Sequence, residues 1–250
     1  MKRAVMIGLA MLAAGTARAD GLADMKAALA RAGAATPLKA LVETQTWRKL
    51  GDGADAEETR GAVSVTVEDG ARGLNVVHGK EVLARMDAEL RAKAKNPDSR
   101  TPTLSALEEL GPRDVLALTS AAASLSRIIE RGQFKGERAD TWQGRSARAL
   151  TFDMPMSSLS TREKKYAKKF SSVLDVWIGA DGMPLASRLR QSMSGRAFVV
   201  VSFDSVHEEQ SVYSVLADRL LAVRKETRGS ASGAGEKDER KVVTTLQVQL

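Results

Sequence analysis

The chain has no cysteine, so no disulfide supports its fold and no thiol nucleophile or thiolate metal ligand is available. Burial has to supply the stability. Histidine is nearly as scarce, with only His78 and His207, and neither has the His-Glu-x-x-His spacing of a zinc enzyme. A centre made of His78, His207 and Glu208 can be drawn, but isolated histidines on strands ordinarily serve packing or solvation. No Gly-x-Ser-x-Gly elbow is present to support a serine triad. Gly51-Asp52-Gly53 and Asp181-Gly182 lack the spaced acidic ligands of a calcium loop and read as turns. Three tryptophans, two tyrosines and five phenylalanines are too few to interleave a basic face with stacking platforms, which argues against nucleic acid as a partner.

Long apolar runs are missing as well. The longest, Ala4 to Ala14, falls well short of the ~20 residues that span a bilayer as a helix. It follows Lys2 and Arg3 and precedes Ala17 and Ala19, whose small side chains suit a signal peptidase. Residues 1–19 therefore read as a cleavable signal peptide, cut after Ala19, and residues 20–250 as one soluble exported domain working in the periplasm. Asp20 stands where a lipoprotein would carry its lipidated cysteine, so no lipid attachment is expected. The formal charge of +7 includes Lys2, Arg3 and Arg18, which leave with the signal, and the remaining basic excess is small.

What is present is periodicity. Leu22, Met25, Ala28, Leu29 and Ala32 recur at helical spacing before Gly33. Leu38 to Leu50 leans toward a strand through Val42, Thr44 and Thr46, and Gly51 to Glu58 is a polar loop. Val63, Val65 and Val67 alternate with Ser64, Thr66 and Glu68, predicting a hairpin that turns at Asp69-Gly70 and returns through Leu74, Val76 and Val77. Lys80 to Lys95 is helical and stops at Asn96-Pro97. Thr103 to Leu110 is helical again. After Gly111-Pro112 one long helix is predicted from Arg113 to Arg131, with Val115, Leu118, Ala122, Leu125, Ile128 and Ile129 as its buried stripe and Gly132 at its end.

From Gln133 onward the period is two. Strands are predicted at Gln133 to Arg138, Ser146 to Asp153, Ser172 to Ile178, Pro184 to Met193, Ala197 to Val206, Val212 to Thr227 and Arg240 to Leu250. Turns are placed at Gln143-Gly144, Asp181-Gly182 and Ser194-Gly195, while Met154 to Lys169 and Gly229 to Asp238 read as mobile segments. The expected class is α+β: a strongly curved antiparallel sheet forming an incompletely closed barrel, with helices over its concave side.

Within that order, Val176, Trp177 and Ile178 followed by Asp181, Gly182, Met183, Pro184 and Leu185 form a tryptophan strand, a glycine turn and a proline-led strand. Upstream, Trp142, Gln143, Gly144, Arg145, Ser146 and Ala147 form a glycine-centred turn into the preceding strand. With the element order, these residues resemble the periplasmic lipoprotein-carrier family, the unclosed barrels with a helical lid shared by lipoprotein localisation factors and several lipid-carrier relatives. The chain departs from that family in its sparse aromatics and in the basic segment after Met154. The resemblance implies a carrier or binding protein for a hydrophobic ligand, a lipid or acyl chain, without cofactor or covalent chemistry. Two rivals are a protein-binding or envelope-sensing module on the same fold and a hydrolase with an unrecognised site.

On that fold Leu74, Val76, Phe198, Val200, Leu220 and Leu246 line the concave face, roofed by Leu118, Leu125 and Ile129. They describe either a cavity for a greasy ligand or an ordinary filled core, and periodicity does not separate the two. A second candidate is the cationic segment carrying Lys164, Lys165, Lys168 and Lys169, preceded by Met154 and Met156 as an apolar tip. It suits contact with an anionic membrane surface or an acidic envelope protein, against the plainer reading of a solvated turn.

Overall fold

The computed structural model describes residues 20–33, 36–159, 161–197 and 201–249. The expected signal peptide lies outside them, as do Phe198 and Val200. The alternation of apolar and polar residues becomes ten antiparallel strands in one sheet. They are β1 (Leu38–Leu50), β2 (Glu57–Gly70), β3 (Gly73–Val77), β4 (Gln133–Trp142), β5 (Arg145–Asp153), β6 (Ala167–Ile178), β7 (Pro184–Ala197), β8 (Val201–Leu216), β9 (Arg219–Gly233) and β10 (Glu236–Val248). Their order is β3-β2-β1-β10-β9-β8-β7-β6-β5-β4. The last strand thus returns to the first, from Ala40 opposite Val248 to Leu50 opposite Asp238. β3 and β4 are left as free edges, so the sheet is open and the class is α+β.

The chain crosses from one free edge to the other through four helices, α2 (Lys80–Lys95), α3 (Pro102–Glu108), α4 (Pro112–Thr119) and α5 (Ala121–Arg131), inserted between β3 and β4; α1 (Gly21–Arg31) precedes the sheet and α6 (Thr161–Tyr166) precedes β6. Glu89 of α2 accepts the Thr103 and Leu104 N–H groups at 2.9 and 3.0 Å, capping the first turn of α3 and joining the two helices. Because side chains alternate across a strand, Val42 meets Val65 on one side and Leu246 on the other in a single apolar row. That row belongs to the main core with Leu118, Leu125 and Ile129 from the helices and Phe152, Leu174 and Val176 from the far strands. A smaller cluster of Ala147, Ala149, Trp177 and Ala186, packed with Trp142 and Leu185, lies on the opposite face. Among the described residues no helix is long and apolar enough to cross a membrane.

Several expectations are corrected. The single helix from 113 to 131 is two, broken at Ser120, whose φ of −132° is not helical. The Thr119 carbonyl, which a continuous helix would offer to residue 123, instead accepts the Arg219 Nε–H at 2.6 Å. The first hairpin turns at Ala71-Arg72, two residues later than expected, since Asp69 and Gly70 are paired with Leu74 and Gly73. Ser194-Gly195 is no turn but part of β7, paired with Asp204 and Phe203. Gly195 is needed there for closeness, because a Cβ would stand 2.0 Å from the Tyr166 carbonyl and 2.8 Å from the Phe203 ring.

The expected strand from Val212 to Thr227 spans two strands joined at Ala217-Asp218, a turn without glycine in which Ala217 takes a φ of 53°. Gly229 to Asp238 does form a hairpin, but its loop is only Ala234-Gly235. Pairing with β8 on one side and β10 on the other carries β9 to Gly233, outweighing the low strand propensity of its Gly, Ser and Ala content. The stretch expected to be mobile after Met154 contains a 3-10 turn at Met156–Ser158, α6 and the start of β6.

Candidate functional site

The described residues proposed to line or roof a cavity do converge. Leu118, Leu125, Ile129, Leu220 and Leu246 are buried in one cluster, and Leu74 and Val76 of the edge strand pack partly buried against it. They fill the space between helices and sheet with one another's side chains. At the margin of this layer a void of about 30 Å³ is bordered by Leu110, Leu118, Val242 and Thr244 together with Glu109, Asp114, Lys225 and Thr227. It has room for water rather than for an acyl chain.

That margin is polar. Lys225 of β9 lies 3.0 Å from Glu209 of β8 and 3.6 Å from Asp114 of α4. Burial disfavours its charge, and the two carboxylates outweigh burial to raise its pKa above the ordinary lysine value. Arg240 of β10 reaches Glu109 at 3.3 Å. The helical layer is therefore tied to the sheet by ion pairs along this border. Tyr213 lies deeper, its hydroxyl 2.7 Å from Ser187, and burial pushes its pKa up to about 12.

Among the described residues the most heavily buried charge is Arg219, only 2 % exposed. It opens β9 directly after the Ala217-Asp218 turn and fans its donors over three other segments. Nε donates to the Thr119 carbonyl at 2.6 Å, Nη1 to the Thr36 carbonyl at 2.8 Å, and Nη2 to the Asp69 carboxylate. Beside it the Thr36 hydroxyl donates to Asp218, and the Leu220 N–H donates to the Ala32 carbonyl at 3.0 Å. A guanidinium tolerates burial only when its donors are matched. Here they fasten the α4–α5 junction, the segment entering β1 and the end of β2 to one point of the sheet.

No known protein family, curated protein or solved structure matches the chain. None of these comparisons bears on the resemblance to lipoprotein carriers expected from the sequence; the places of the residues behind that expectation can be stated. Trp177 lies within β6, Asp181-Gly182 turns the chain, Pro184 opens β7, and Trp142 closes β4 before a turn in which Gln143 takes a φ of 49°. The structure brings the two tryptophans together on the sheet face away from the main core, with ring centroids 5.0 Å apart. Trp177 Nε1 donates to Asp140 at 2.9 Å, and the Arg188 guanidinium stands 5.6 Å from the Trp177 ring.

The cationic segment is divided between two elements. Lys164 and Lys165 end α6, Lys168 and Lys169 begin β6, and all four are exposed. Met154 is buried in the main core, while Met156 is 40 % exposed. The histidines are far apart in the sheet order, His78 following edge strand β3 and His207 within β8. Burial, opposed by Glu209, pushes the His207 pKa down. Among the described residues no three His, Asp or Glu side chains gather as a metal site would require. Sequence reasoning passed over Arg219 because it fell inside the single strand expected from Val212 to Thr227, and nothing local marks the three distant acceptors it finds.

Proposed function

We propose that the chain is an exported periplasmic carrier or binding protein that takes a hydrophobic ligand, a lipid or acyl chain, without cofactor or covalent chemistry. In this reading the sheet is a strongly curved, incompletely closed barrel, and the ligand lies between it and α4 and α5. The observation that carries the reading is the fastening of the α4–α5 junction by Arg219 over an apolar face supplied by strands from both halves of the sheet. Both helices belong to one insertion running from edge to edge, so lifting them uncovers apolar surface without breaking the sheet. A chain of ten methylenes entering there is worth about 8 kcal/mol, at about 0.8 kcal/mol for each buried CH₂, which offsets part of the contacts the helices give up.

The test is uptake of a fluorescent fatty acid, joined to extraction of lipid from protein purified from its native compartment. The parent should take up the probe and bring lipid with it. Leu125→Trp, which adds bulk beneath α5, should lower uptake, and its unfolding midpoint shows how far the closed core is overpacked. A parent that carries no lipid and takes up no probe would refute the carrier.

A second reading, a protein-binding module on the same fold, has the free edge strand β4 in its favour, since an unpaired strand can accept another. Capture of a partner by β4, lost when Glu137 is replaced by proline, would support it.

A further inference from the structure

The outer surface of the helical layer carries a groove of about 510 Å³ lined by Arg113 and Leu116 of α4 and by Ser124, Arg127, Ile128 and Arg131 of α5. Its composition follows from the helical periods. Val115, Leu118, Leu125 and Ile129 turn inward to the core, which leaves positions 113, 116, 124, 127, 128 and 131 on the outer side of the two helices. Two large aliphatic side chains remain there, Leu116 at 39 % and Ile128 at 36 % exposure. Three guanidinium groups surround them, and among the described residues no carboxylate lines the groove. Arg127 reaches the Ala123 carbonyl at 3.2 Å. Among the described residues the guanidinium groups of Arg113 and Arg131 have no ion-pair or hydrogen-bond partner, in a chain where most arginines on the sheet are matched with carboxylates.

We infer that this groove docks the protein on an anionic lipid bilayer, the three arginines taking headgroup phosphates and Leu116 and Ile128 entering the interface between them. Guanidinium groups present paired N–H donors that suit phosphate oxygens, and their long stems lie along apolar surface while the charge stays outside. An amphipathic helix from a partner protein would need a row of three or four apolar anchor sites, and the groove offers two. Phe134, at the start of β4 just after α5, is also partly exposed. The lysines at 164, 165, 168 and 169 add charge elsewhere but no comparable floor. This docking is independent of what the core holds.

The experiment is cosedimentation of the full exported protein with phosphatidylglycerol vesicles, with phosphatidylcholine vesicles and soluble polyglutamate as the other arms. The parent should bind phosphatidylglycerol at low salt, release it as salt rises, and leave phosphatidylcholine unbound. Arg113→Gln/Arg127→Gln/Arg131→Gln should weaken the partition by about a hundredfold, at the tenfold per 1.4 kcal/mol that relates affinity to ~1 kcal/mol for each basic residue. Leu116→Ser/Ile128→Ser, with charge unchanged, should weaken it severalfold. Both sets change exposed side chains, and circular dichroism establishes that they fold. Unchanged binding by the arginine variant would overturn the inference, as would loss confined to a Lys164, Lys165, Lys168 and Lys169 to Gln variant. Binding to polyglutamate but not to vesicles would also overturn it, assigning the groove to an acidic protein.

Discussion

Arg219→Met removes the charge and the three donors while keeping a stem of similar reach. It leaves the Asp69 carboxylate and the Thr119 and Thr36 carbonyls without that donor. The Asp69 side chain is only 18 % exposed, so water compensates in part. Breaking a buried ion pair by removing one partner costs about 3 to 5 kcal/mol, and at about 2 to 4 °C per kcal/mol for a domain of this size the midpoint should fall by roughly 6 to 20 °C. Protease cleavage near Ser120 should rise with it, because the α4–α5 junction loses its tie to β9. Arg219→Met/Asp69→Asn separates the causes: if the stranded carboxylate dominates, the double variant regains stability over the single one. A single variant unfolding within about 1 kcal/mol of the parent, with Ser120 equally protected, would refute the fastening and weaken the argument for a lid.

Burial opposes ionisation of Glu226, yet hydrogen bonds from Arg228, Arg224 and Lys241 prevail and lower its pKa from 4.5 to about 2. A depressed carboxylate contributes stability that is present above its unfolded pKa and lost as pH falls through the folded one. Stability should therefore decline between about pH 4.5 and 2, and Glu226→Gln should flatten that decline in urea titrations at stepped pH. Gly61→Ala should destabilise the protein by roughly 1 to 3 kcal/mol, since its Cβ would stand 2.3 Å from the Pro102 carbonyl and 2.7 Å from Thr46 Oγ1; an unshifted thermal midpoint would show that α3 is free to move off β2.

Local chemistry was legible wherever one side chain's choice depended on its chain neighbours. The alternating valines of β2 and the Asn96-Pro97 stop after α2 are of this kind, as is the turn at Asp181-Gly182. The misplaced boundaries share another cause. Gly195 looks like a turn residue, and only its distance to the Tyr166 carbonyl explains it. Ala217 has no sequence mark of a turn, and adopts a positive φ because β8 and β9 must pair on either side of it. The polar run of β9 is held extended by two neighbouring strands that its own composition does not favour.

For the candidate sites the division is similar. The inward stripe of Leu118, Leu125 and Ile129 could be read from helical spacing, because burial repeats with the turn of the helix. That the same stripe is packed solid, broken at Ser120 and pinned by Arg219 depends on contacts across about a hundred residues of chain. The sequence by itself determined which faces are apolar and therefore that strands and helices must stack. Tertiary structure alone decided which charge goes inside and which arginines stay unmatched at the surface. A buried guanidinium is stable only when distant acceptors arrive together, and no local pattern records whether they do.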